Sequence, residues 1–82
     1  MGTTRLQGVG IVPTISNRKI KVGDRLVYNF GHIYEVVDVI KTTKASRLLQ
    51  IRDEESGELY EKRFLNSGHW AVVDENNKFR KN

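Results

Sequence analysis

The chain has 82 residues, 38% of them hydrophobic, a formal net charge of +4 and no cysteine. A chain of this length buries about 60–65% of its unfolded surface, so one domain around one modest core is expected. The lack of cysteine excludes a disulfide framework, thiolate zinc sites and thiol catalysis and fits a reducing cytoplasm, and no apolar run approaches the roughly 20 residues of a membrane-spanning helix.

Residues 1–19 contain Gly2, Gly8, Gly10 and Pro13, which break any helix and weaken any strand. They read as a flexible or extended N-terminal arm, with a short extended piece at residues 9–12. Residues 21–40, KVGDRLVYNFGHIYEVVDVI, are the stretch the rest is built around. Gly23 and Asp24 mark a turn, residues 25–30 a strand, and Gly31 with His32 a second turn. Residues 33–42 form the longest predicted strand. Both of its parities are apolar: Ile33, Val37 and Val39 on one, Tyr34, Val36 and Ile40 on the other. Successive side chains of a strand face opposite sides. In so small a chain this predicts a bulge near Val37 and Asp38 that shifts the parity and bends the strand.

Residues 42–46 are a polar connection. Residues 47–53 form a strand with Leu49 and Ile51 inward. Glu54, Glu55, Ser56 and Gly57 make a tight turn with Gly57 in the left-handed region. Residues 58–64 return, and an arginine of one strand is expected to face a glutamate of the other. A single 3₁₀ turn is predicted over residues 65–69, then a short last strand over residues 70–74. The remainder is a polar, basic tail. No window carries a helical period.

The residues VGDRLVY (22–28), YEVVDV (34–39), RDEESGELY (52–60) and FLNSGHWAVV (64–73) follow one another in an order that resembles the SH3-like barrels, including Tudor and KOW-type modules. The resemblance covers residues 20–75. The chain lacks the further glycines of a KOW motif, and it lacks the acidic loops and paired aromatics of peptide-binding SH3 domains. The resemblance therefore implies a fold and no binding site. The expected architecture is all-β: a single small SH3-like barrel of about five strands over residues 20–75, with a 3₁₀ turn before the last strand. An arm (1–19) precedes it and a basic tail (76–82) follows.

Catalytic signals are missing. His32 and His69 each sit beside a glycine, with no second ligand at metal spacing, so no metal site is expected. No nucleophile elbow surrounds any serine. Gly8 and Gly10 lack the third glycine and the helix of a dinucleotide loop. No catalytic residue and no cofactor are assigned, and a non-catalytic binding module is expected.

Charge distribution points further. Residues 1–22 carry Arg5, Arg18, Lys19 and Lys21 without an acid, while Glu54, Glu55, Glu58 and Glu61 gather around one turn. Small barrels bind nucleic acid with aromatics that stack on bases and basic side chains that hold phosphates. Tyr28, Phe30, Tyr34, Tyr60 and Trp70 are the candidate aromatics, and Arg25, Arg52 and Lys62 are candidate phosphate contacts. The main nucleic-acid set is Arg18, Lys19, Lys21, Lys41, Lys44 and Arg47, on the arm and on the connection after the long strand. They are expected to line one patch of weak sequence specificity. The alternative is a protein-binding adaptor or inhibitor, of the kind small phages encode, docking on a larger protein, of a host or otherwise, through the acidic hairpin with Glu54, Glu55 and Glu58, an exposed strand edge or the N-terminal arm. The expected partner is nucleic acid or a larger protein, with no membrane and no metal.

Overall fold

A computed structural model describes residues 2–28 and 30–81. Among the described residues, eight strands and one 3₁₀ turn make up an all-β fold: β1 (Gly2–Leu6), β2 (Gly10–Ser16), the 3₁₀ turn (Asn17–Lys19), β3 (Arg25–Tyr28), β4 (His32–Thr42), β5 (Ser46–Asp53), β6 (Leu59–Leu65), β7 (His69–Trp70) and β8 (Val72–Val73). Five strands form one sheet in the order β6-β5-β4-β3-β8, and three form a second in the order β1-β2-β7. No described helix is long and apolar enough to cross a membrane.

The expected barrel is not closed. Among the described residues no ladder joins the two sheets, and β6 ends the larger one with an open edge. The sheets are linked by residues 69–73, which pair with β2 through His69 and Trp70, then with β3 through Val72 and Val73. The strand count exceeds five because this last strand is divided at Ala71 and because the N-terminal stretch is paired.

Residues 2–16 are extended, but they form a hairpin rather than a loose arm. Leu6 faces Gly10, and Val9 N–H donates to Leu6 C=O at 3.0 Å. Gly8 has φ +84°, a conformation the tight connection requires. Pro13 faces Thr3 in the part of β2 that β7 does not reach, so its missing N–H interrupts no ladder on that side. The tail is also laid down. Phe79 bridges Val73, and Arg80 N–H donates to Val72 C=O at 2.8 Å. The 3₁₀ turn sits at Asn17–Lys19, whereas residues 65–68 close a β-turn through Gly68 N–H to Leu65 C=O at 3.0 Å.

The bulge in β4 lies where the doubled apolar parity requires it. Val36 faces Ile51 and Asp38 faces Gln50, so Val37 is the extra residue; a second shift between Val39 and Lys41 leaves out Ile40. Both Val36 and Val39 thereby point to one core, three positions apart. The Glu54–Gly57 turn has Gly57 at φ +78°, as expected. The expected Arg–Glu pair across β5 and β6 is not formed. Arg52 faces Leu59 there and bonds to Glu35 of β4 instead.

Two apolar clusters hold the sheets together. The larger gathers Ile15, Ile20, Leu26, Val36, Leu49, Ile51, Phe64 and Val72. The smaller gathers Leu6, Val12, Val27, Ala71 and Val73, with Ile33 and Phe79 against it. Each large side chain so buried is worth about 1.5–3 kcal/mol over exposure. Adjacent residues of β3, Leu26 and Val27, serve different clusters because they face opposite sides.

Candidate functional site

The inner face of the five-stranded sheet is filled by the larger core at one end and open at the other. Alternate residues of β3 and β6 continue past the core as Tyr28 and as Lys62 and Tyr60. With Tyr34 and Trp70 they line an apolar groove of about 240 Å³, floored by Leu26 and Ile51. Tyr28 and Trp70 are stacked, with ring centroids 5.3 Å apart and planes 24° apart. The Lys62 ammonium lies over both, 5.5 Å from the Tyr28 centroid and 5.4 Å from that of Trp70. Phe64 meets Trp70 edge-on at 4.9 Å and fixes its ring from below. At the other end Tyr34 and Tyr60 meet edge-on at 6.2 Å.

Both tyrosines at that end stay neutral phenols at physiological pH. Burial, with the charge of Asp53, pushes Tyr34 upward. Tyr60 donates its hydroxyl to Glu58 at 2.6 Å and is pushed up to about 12 by that bond. Four of the five candidate aromatics thus converge on one groove. Phe30 does not. It is exposed in the β3–β4 turn at φ +53°, its ring lies close to Gly8, and its N–H donates to Gln7 C=O at 2.6 Å.

The basic candidates divide. Asn17 and Asn66 organise a corner beside the groove. Arg47 donates to Asn17 C=O, and Arg18 Nε donates to Asn66 C=O at 3.3 Å. Asn66 Nδ2 donates to Lys44 C=O at 3.1 Å, and its N–H donates to Ala45 C=O at 2.8 Å. Arg18, Lys44 and Arg47 are therefore brought together. Arg63, which the sequence reading left out, donates to Ser46 Oγ at 3.1 Å from the opposite face of the β5–β6 ladder. None of these four has a carboxylate partner among the described residues. A second depression of about 270 Å³ adjoins the groove, lined by Asn17, Arg63 and His69 and sharing Lys62 and Trp70 with it. The Oδ1 of Asn17 is buried there without a hydrogen-bond partner.

Other cations are spent elsewhere. Lys21 lies 3.4 Å from Asp24, which also takes Arg80 at 3.2 Å. Arg25 grips Glu54 through two bonds of 2.8 and 2.9 Å. Lys19 and Lys41 are exposed, and no described contact joins them to the corner.

The acidic tip is less available than its sequence suggests. The Arg25 guanidinium holds Glu54 below the usual carboxylate range. Glu58 accepts from Tyr60, and Glu55 lies 3.7 Å from His32. Among the described residues no three His, Cys, Asp or Glu side chains converge to hold a metal ion.

Neither a protein-family model, nor a curated protein, nor a solved structure matches this chain.

Proposed function

We propose that the chain is a non-catalytic module that binds single-stranded nucleic acid with little sequence preference. The observation that carries this reading is the stacked Tyr28–Trp70 pair under the Lys62 ammonium, in a groove that adjoins a depression lined by Asn17, whose C=O takes Arg47. An aromatic face accepts any base, and a cation at its rim meets the phosphate that follows. Arg47, bonded to Asn17 C=O at the adjoining depression, is a further cation close by. A duplex keeps its base faces stacked inside, so the groove favours a single strand.

The strand order β8-β3-β4-β5-β6, with a long bulged β4, supports reading the larger sheet as an SH3-like barrel left open on one side. Protein docking through the acidic hairpin is less favoured, because Glu54 and Glu58 already have partners within the chain.

Trp70 is the only tryptophan and reports on the groove directly. Titration with an oligothymidylate at low salt is expected to quench its fluorescence. Affinity is expected to fall with salt by a log–log slope of about −0.7 per neutralised phosphate. Tyr28→Ala is expected to weaken binding about tenfold, the value of one lost stack. No binding at low salt, or tighter binding to the matching duplex, sinks the reading.

A further inference from the structure

The groove uses the inner face of β6, while the outer edge of the same strand remains open. The direction of its peptide groups follows from both ends of the β5–β6 ladder. Asp53 N–H donates to Glu58 C=O at 2.9 Å, and Asn66 N–H donates to Ala45 C=O at 2.8 Å. Even-numbered residues of β6 therefore bond toward β5. The odd-numbered residues Leu59, Glu61 and Arg63 turn their N–H and C=O groups outward, where no described strand meets them. Leu65 C=O, which also points outward, accepts from Asn17 Nδ2 at 2.8 Å. The open stretch thus runs as far as Arg63 before the chain covers it.

The sequence of this edge is complementary to itself. Turned end for end about Lys62, LYEKRFL places Leu59 opposite Leu65, Glu61 opposite Arg63, and Lys62 opposite Lys62. Leu59 and Leu65 are each 57% exposed and lie on the outer face with Glu61 and Arg63. The matched residues 61 and 63 are the ones whose peptide groups face outward, so the apolar, ionic and backbone matches share one register. Only the axial Lys62 pair opposes like charges. Each of those ammonium groups is drawn over Tyr28 and Trp70 of its own protomer.

We infer that the chain forms a two-fold symmetric homodimer by antiparallel pairing of β6 with β6 of a second copy, centred on Lys62. The five-stranded sheet becomes a ten-stranded one, two strands of which meet at the axis. The two aromatic grooves then lie side by side across that axis.

Light scattering after size exclusion tests this. Between about 1 µM and 1 mM protein the mass is expected to rise from 9.4 kDa toward twice that value. Glu61→Arg alone and Arg63→Glu alone each set like charges opposite one another twice per dimer. Each is expected to raise the dissociation constant about tenfold. The double swap rebuilds both pairs with reversed sign and is expected to restore it to within about threefold of the parent. The chain has no cysteine, so a register probe has a clean background. Lys62→Cys falls in a pair without ladder bonds, where opposed Cα atoms lie about 4.5 Å apart, and is expected to oxidise to a linked dimer. Tyr60→Cys is displaced from its own copy and is not. A monomer throughout the concentration range overturns the inference. A dimer that ignores both single swaps, or that links through residue 60 as readily as 62, overturns it as well.

Discussion

Arg25 binds partners from two loops at once. Its Nε and Nη2 hold Glu54 of the β5–β6 turn, while Nη1 donates to Asp74 C=O at 2.9 Å and to Asn77 Oδ1 at 2.6 Å. Asp74 in turn accepts the N–H groups of Lys78 and Asn76, which lower its pKa and shape the final turn. The ion pair is partly solvated, so its worth is modest. Glu54→Gln is expected to cost under about 1 kcal/mol at pH 7, measured by denaturant unfolding. The sign with pH follows from the lowered folded pKa of Glu54. The difference between parent and variant is full above the unfolded glutamate value. It disappears as pH falls through the lower, folded one. In the sequence Glu54 has no visible partner within the chain, because Arg25 is 29 residues away, a distance that only the topology closes. The convergence of Tyr28, Tyr34, Tyr60 and Trp70 was half legible. The residue types suggested stacking, but which of them left the core depended on how far each strand ran past it.

At the scale of elements, the N-terminal hairpin departs furthest from the sequence reading. The β1 sequence GTTRL shows no apolar alternation, and only Leu6 of it is buried. Its reason to fold is the outer side of β3 and residues 71–73, where Val27, Ala71 and Val73 need cover. Segments that follow by about twenty and about sixty-five residues therefore decide its structure. Leu6→Ala is expected to destabilise the protein by about 2 kcal/mol, the low end for a core truncation, because Leu6 retains 8% exposure. A loose arm would give no measurable change in the same denaturation experiment. The β4 bulge was legible for the opposite reason. Apolar residues on both parities of a single strand pose a local contradiction, and an extra residue resolves it locally. The 3₁₀ turn was misplaced because Ser16, whose hydroxyl accepts Arg18 N–H at 3.3 Å, offers a cap that composition alone does not rank above residues 65–69.

For the whole molecule, two clusters could have meant two independent units. They are tied instead, since β2, β3 and residues 71–73 each contribute side chains to both. Unfolding is therefore expected to be a single transition, with Trp70 fluorescence and far-ultraviolet circular dichroism giving the same midpoint. Leu6→Ala, whose side chain lies in the smaller cluster, is expected to move both signals equally, although Trp70 packs on the larger one. A shift confined to circular dichroism would mean that the hairpin opens alone.

The division of the last strand at Ala71 makes chain length a sorting device. Val72 is fully buried in the larger cluster, and Ala71 and Val73 lie in the smaller, while Ala71 C=O accepts Val27 N–H at 3.0 Å. One residue separates the part of the strand that belongs to the small sheet from the part that belongs to the large one. A single residue added at Ala71 would exchange the two valines between clusters, because strand side chains alternate without slack. The spacing between Trp70 and Val72 is thus a gauge with no tolerance.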